Sequence, residues 1–382
     1  MRLLHPGGDV VHLAYCTNVH QAEDAAGIVA QLDRFAAPIR AALDVPVLGL
    51  GLWLAADVAH ALARDAAATR RLKRELDVRG LEVVTLNAFP YRGFQDPVVK
   101  KRVYHPDWTT EERLAYTLDA ATVLAGLLPD DVGRGSVSTL PLAWREPWDL
   151  VRARVARARL AELAAGLAEL AAMTGRAIRV GLEPEPGCVV ATLRDAVEVL
   201  DFLDTAWLGV CVDACHLAVE FEEPHEALSR LADAGLPVVK AQASSAMEAR
   251  DPADPETRRV LAGYREPRFL HQTRERGVGE VDDLDLALDG GLPGASPWRI
   301  HYHLPVHASP RPPLSSTAHE LERVIDALFG GPVPVTGHLE VETYTWDVLP
   351  DRPPGDAGLV AGLAAELAWT RDRLLALGLK EL

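Results

Sequence analysis

Acids and imidazoles stand at the ends of successive apolar runs in this 382-residue chain. The run AIRVGL is followed by EPEPGC, which sets Glu183 and Glu185 two residues apart, each before a proline. LGVCVDACH carries Asp213 and His216, and VVKAQAS carries Lys240 and Gln242. HYHLPVH carries His301, His303 and His307, and HLEVETY carries Glu340 and Glu342. Carboxylates joined by an imidazole or an amide make a hard, oxygen-rich ligand set suited to Mn²⁺, Mg²⁺, Co²⁺ or Zn²⁺. Acids buried together repel one another unless a cation keeps them ionised. The expected ligands are Glu183, Asp213 and Glu342, with either Gln242 or His303 completing the set. Glu183 and Glu342 are also the candidate proton carriers of a catalytic site.

Other residues are candidates for substrate contact. Residues two apart on a strand share a side, so Glu185 and Glu340 can orient a ligand or act as a base beside Glu183 and Glu342. His301 shares a strand face with His303; the alternative is a hydrogen-bonded core pair. His20 ends the first run in TNVH, where it or Asn18 could instead cap a helix. Asn87 lies in LNAFPY. Trp108 and Tyr104 offer aromatic faces to the apolar side of a ligand, although Thr109 and Thr110 ahead of EERLAYT mark a helix start. Lys240 must be paired or desolvated inside a strand. It either polarises a carbonyl or phosphate oxygen or is a salt-bridge partner.

The elements that position these residues alternate along the whole chain. Nine short apolar runs are separated by longer segments of helical periodicity. Continuous rather than alternating hydrophobicity suits parallel strands buried on both faces, so the fold class is α/β. No GxGxxG or GxxxxGK[ST] is present, which argues against a dinucleotide or nucleotide-phosphate fold. Polar residues gather just after the strands, as at the rim of a (β/α)8 TIM barrel. Pro184 and Pro186 cannot donate to a sheet, so the ladder ends where Glu183 and Glu185 begin. Nine candidates for eight places leave one outside the barrel. A single domain over 1–382 is expected, with the charged, Pro- and Gly-rich segment 246–297 as an insertion or lid and a C-terminal helix over 356–382 packed on the barrel.

A formal net charge of −16 leaves little to attract a phosphate backbone, and LVRARVARARL reads as the solvated face of a helix. No nucleic-acid partner is expected. No secretory leader and no run of about 18 apolar residues is present, so no membrane insertion and a cytoplasmic location are expected. Cys16, Cys188, Cys211 and Cys215 lack metal-ribbon spacing and read as reduced, buried thiols.

The order of GLEPEP, VDACH and LEVETY at successive strand ends resembles the xylose-isomerase-like TIM-barrel superfamily, which includes sugar isomerases, ketose epimerases and the endonuclease IV group. The resemblance implies that Glu183, Asp213 and Glu342 hold a divalent metal ion and that His216 stands near the substrate. The strand VVKAQASSA departs from the pattern, with Gln242 where a histidine is expected. Either the metal takes an amide or the histidine comes from another strand.

A second resemblance covers nearly the whole chain. YCTNVH, NAFPYRGF, VYHPDWTTEERLAYT, SVSTLPL, LEPEPGC, KAQASSA, FLHQT, HYHLPV and HLEVETYTWDVLP are similar to the metabolite-traffic protein family called EboE. This family is a barrel encoded beside a UbiA-like prenyltransferase and a dehydroquinate-synthase-like sugar phosphate cyclase. The similarity implies a cytoplasmic role in making or moving a secondary metabolite, with a functional link to those two partners. Three functions fit these readings. The first is a divalent-metal-dependent isomerase or epimerase of a polyol, sugar- or cyclitol-like small molecule. The second is a non-catalytic barrel that binds and hands on such a metabolite. The third is a phosphodiester hydrolase of the endonuclease IV kind, which the net charge and the single clear DxxH disfavour.

Overall fold

Eight parallel strands close on themselves in the computed structural model, which describes residues 1–382. They are β1 (Val10–Cys16), β2 (Leu48–Trp53), β3 (Leu81–Asn87), β4 (Arg134–Thr139), β5 (Ala177–Leu182), β6 (Leu208–Asp213), β7 (Val238–Ala243) and β8 (His338–Val341). Each pairs with its sequence neighbour, and β8 pairs with β1 through His338 opposite His12 to close the barrel. The run LGLGLW is buried at every position, as a strand between an inner and an outer layer must be. The fold is the TIM barrel its strand pattern predicts.

Local sequence explains how the helices between strands start and stop. Thr110 caps Glu111–Leu127, accepting a hydrogen bond from the Arg113 N–H. Asp149 caps Leu150–Thr174 through the N–H groups of Val151 and Arg152, and Gly175 ends that helix at φ 69°. A left-handed residue at this position suits glycine. The C-terminal helix Gly355–Ala376 packs against the helix Ala37–Leu43 and the outside of β1.

The ninth apolar run, WRIHYHL, is the one outside the barrel. Trp298–Ile300 is the middle strand of a separate antiparallel sheet, between Thr273–Glu275 and Met247–Ala249. The strands Gly279–Val281 and Ser315–Ser316 flank it. The sheet has its own apolar cluster, including Met247, Leu261, Trp298, Ile300 and Leu314. The chain leaves the barrel after β7, builds this sheet, and returns through the helix Ala318–Phe329 to β8. His301 and His303 therefore follow a strand of the inserted sheet.

Register fixes what faces the barrel interior. Gln242 lies opposite Asp213 on one side and Glu340 on the other. Lys240 and Glu340, both fully buried, form an ion pair there. Burial disfavours the ammonium, but Glu340 more than compensates and the Lys240 pKa is raised. A Cβ at Gly51 would come within 1.8 Å of Glu340 Oε1, so only glycine lets β2 approach this carboxylate.

Candidate metal centre and active site

Three carboxylates meet at the C-terminal mouth of the barrel. Glu183 follows β5, its N–H bonded to the Thr139 carbonyl at 2.9 Å. Asp213 ends β6 and caps the short helix Ala214–Val219; its Oδ1 accepts from the His216 N–H at 3.0 Å and from Ser244 Oγ at 2.7 Å. Glu342 follows β8, and its Oε1 accepts from the amides of Asn18 (2.7 Å) and Asn87 (3.0 Å). One oxygen from each of Glu183, Asp213 and Glu342 lies within 4.8 Å of the others.

This triad fits a divalent cation. Glu183 Oε2 and Asp213 Oδ2 are buried without a hydrogen-bond partner, a cost that a bound cation removes. Burial, then repulsion by Glu342, Asp213 and Glu185, pushes the Glu183 carboxyl well above the usual carboxylate range. Burial, followed by Asp213 and Glu340, does the same to Glu342. An ion between them would keep both ionised near neutral pH.

Imidazoles line the adjoining wall. His216 Nδ1–H donates to the Pro184 carbonyl at 2.8 Å, and its Nε2 lies 3.0 Å from Glu185 Oε2. His303 Nδ1–H donates to the Glu342 carbonyl at 2.8 Å. Ligand atoms of His303, His216 and Asp213 also lie within 4.8 Å of one another. Burial first, then the neighbouring imidazoles, holds His301 well below the usual histidine range, and burial lowers His303 to about 4. Both rings are thus neutral, as metal ligation requires. Burial raises the Glu185 carboxyl against the opposing pull of His216 and the Tyr104 hydroxyl, which donates to Glu185 at 2.8 Å.

The structure brings together Glu183, Glu185, Asn87, His216, His301, His303 and Glu342 around one cavity of about 50 Å³. Asp213 lies directly behind it, within reach of Glu183 and Glu342. Five other candidates lie elsewhere. Gln242 turns its Oε1 to the Cys211 thiol, at 3.5 Å, and leaves Nε2 unpartnered. Lys240 and Glu340 are occupied with each other inside the barrel. His20 stacks on Phe35 with ring centroids 4.2 Å apart, outside the cavity. Trp108 is buried in the loop wall, donating from Nε1 to the Leu140 carbonyl. Tyr104 lines the cavity while His307 is exposed.

Three residues of the site escaped sequence reasoning. Asn18 holds Glu342 rather than capping a helix. Tyr344 reaches the His301 Nε2 at 3.3 Å. Gln272 accepts from His301 Nδ1–H at 2.9 Å. Asn18 stood beside the candidate His20 and Tyr344 two residues past Glu342, so position relative to a strand end was the available signal. Gln272 lies in the insertion, where no strand-end rule applies.

Residues 39–262 match the family described as the xylose isomerase-like TIM barrel. The chain belongs to that family. The match stops before His301, His303 and Glu342, which the fold nevertheless carries to the same mouth as Glu183 and Asp213. Among solved structures, a D-allulose 3-epimerase from Methylomonas sp. is 13% identical, covering 95% of this chain and 98% of its own, with a TM-score of 0.52. A D-psicose 3-epimerase from Clostridium cellulolyticum H10, solved with D-tagatose, is 12% identical over 95% of this chain and 99% of its own, with a TM-score of 0.50. At such identities the likeness is one of fold. No curated protein matches the chain. No helix is long and apolar enough to cross a membrane.

Proposed function

We propose that the protein is a divalent-metal-dependent isomerase or epimerase of a polyol, sugar- or cyclitol-like intermediate. The observation that carries this reading is the buried triad of Glu183, Asp213 and Glu342, with two carboxylate oxygens lacking partners. These three residues and His303 would hold the ion. When bound, it polarises adjacent oxygens of a hydroxy-ketone and acidifies the C–H between them.

The chain's own groups supply the rest. Glu183 and Glu342 come from β5 and β8, with β6 and β7 between them, so their carboxylates approach the cavity from different sides. A proton taken by one and returned by the other inverts a carbon; taken and returned between neighbouring carbons, it isomerises the substrate. Asn18 and Asn87 fix Glu342 by donating to a single oxygen. The Phe94, Phe269 and Tyr344 rings wall the cavity and suit the apolar face of a sugar ring. Lys240, paired with Glu340 below the mouth, sets the field beneath the site.

The similarity to the EboE family supports a substrate from secondary metabolism, a cytoplasmic role, and a link to a UbiA-like prenyltransferase and a sugar phosphate cyclase. A carrier role is the second reading. The cavity of about 50 Å³ is far below the roughly 300 Å³ of an ordinary ligand site, so a sugar enters only if the covering segments move.

The test is solvent-proton exchange. In D2O, metal-loaded protein incubated with ketoses, ketose phosphates and cyclitol ketones is expected to wash deuterium into the carbon beside the carbonyl of one of them, followed by NMR. Glu183→Gln should abolish exchange. Binding without exchange across the set would favour the carrier.

A further inference from the structure

The opposite end of the barrel carries charge that the fold does not neutralise. The starts of β1, β4, β5, β7 and β8 surround an opening of about 570 Å³, within the roughly 300–1,000 Å³ of an ordinary ligand site. This face of a TIM barrel ordinarily serves stability. Two of its side chains work against that.

Arg134 opens β4 and Arg179 lies near the start of β5. Arg134 stands opposite Ala177, and Ser136 opposite Arg179. Residues two apart on a strand share a side, so both arginines leave the face that Ser136 occupies. Ser136 Oγ meets Thr85 Oγ1 at 2.8 Å and the His338 ring on β8 at 2.7 Å, which makes that face the barrel interior. Two like charges therefore share one opening and repel. Burial first, then repulsion by Arg134, lowers the Arg179 pKa.

Carboxylates are plentiful in the chain, with 55 Asp and Glu against 39 Lys and Arg, yet neither arginine has an acidic partner. Arg179 gives one N–H to the Thr205 carbonyl at 2.7 Å and leaves Nε buried without a partner. Arg134 is exposed. The acids nearby are mostly taken: Asp131 pairs with Arg2, and Glu82 with Arg2 and His12. One free carboxylate, the exposed Asp9, is left against two free guanidinium groups.

We propose that this opening is a second binding site, which takes a phosphate-bearing small molecule with Arg134 and Arg179 gripping the phosphate. A guanidinium presents its N–H groups in a planar fork that matches phosphate oxygens, and two of them neutralise a dianion. His12, only 7% exposed, and His338 form the floor, their rings edge to face at 5.6 Å. Val10 and Val335, 39% and 46% exposed, stand on the wall and suit the apolar part of an organic phosphate. The proposal does not depend on the reaction proposed for the mouth, since the two cavities share no residue.

The experiment is calorimetric titration of the full chain with inorganic phosphate and with glucose 6-phosphate. Wild type is expected to bind, Arg134→Gln and Arg179→Gln each to bind about tenfold more weakly or worse, and Glu183→Gln to bind as wild type does. Tighter binding of glucose 6-phosphate supports an organic ligand, and equal affinity for both supports free phosphate in the same guanidinium site. No binding of either by wild type overturns the proposal. So does undiminished binding in the arginine variants, or binding lost in Glu183→Gln, which would place the phosphate at the mouth. Modification of wild type by phenylglyoxal, mapped by mass spectrometry, asks the same question without a variant. Phosphate should protect Arg134 and Arg179 but not the exposed Arg70, which lies outside the opening; equal modification of Arg134 with and without phosphate overturns the site.

Discussion

Lys240 and Glu340 face each other from β7 and β8 at the centre of the barrel, both fully buried and paired. Removing one member of such a pair strands a charge in a low-dielectric interior, which costs about 3–5 kcal/mol. Lys240→Met is therefore expected to lower stability by about that amount, and Lys240→Met combined with Glu340→Gln to recover most of it. Urea unfolding of the single and double variants checks this. A catalytic Lys240 would instead show lost turnover with little loss of stability. Gly51→Ala, whose methyl group would overlap the Glu340 carboxylate, should also destabilise, by about 1–3 kcal/mol.

A ligand that binds only the native state stabilises it by mass action. If Glu183, Asp213 and Glu342 share an ion, chelator lowers the melting temperature of wild-type protein loaded with that ion. At a free-ion concentration 100 times Kd the stabilisation lost is about 2.7 kcal/mol. Asp213→Ala should show a much smaller response, because one of its three carboxylates is gone. Equal responses in a thermal scan of the two proteins would remove the shared site.

Asn18 and Asn87 both donate to Glu342 Oε1, leaving Glu342 Oε2 to turn toward an ion. Groups that orient a ligand from behind typically govern metal affinity by 10–100-fold. Asn87→Ala is expected to weaken metal binding within that range, and Asn18→Ala likewise, with the metal-free melting temperature changing little. Competitive titration against a chromophoric chelator measures the affinity. Unchanged affinity in both variants would mean that the amides only fill space.

Much of this site was legible because a parallel barrel sends every strand end to one rim. Glu183, Asp213 and Glu342 needed no more than their place after an apolar run. The layer each side chain occupies was less legible. Lys240 and Gln242 look equivalent to Asp213 in the sequence, yet register sets them among interior partners, Glu340 and the Cys211 thiol. WRIHYHL was one of nine runs for eight places, and it could not be told from the barrel strands because apolar content does not reveal a strand's neighbours. Its pairing with Met247–Ala249 and Thr273–Glu275 is a long-range fact. That pairing carries His301 to the mouth, and with it Gln272, which fixes the imidazole's orientation.

Glu366 gives the fold a pH dependence of its own. It sits on the C-terminal helix, fully buried, and accepts from Thr343 Oγ1 (2.6 Å), Trp346 Nε1 (2.9 Å) and the Val306 N–H (3.1 Å). These bonds clamp the segment after β8 and the return from the insertion. Burial outweighs the three donors and raises its pKa from 4.5 to about 7. Between those values the folded state binds more protons at this residue than the unfolded state does, so its contribution to stability falls as pH rises through that window. The full shift corresponds to about 3 kcal/mol. Glu183 and Glu342 are raised as well, so the metal-free protein should lose stability from pH 5 to pH 8, and Glu366→Gln should lose less. The difference between the two urea-derived stability slopes isolates Glu366, since the mouth is the same in both proteins. Parallel slopes would mean that Glu366 is already ionised at pH 5, with its three donors outweighing burial.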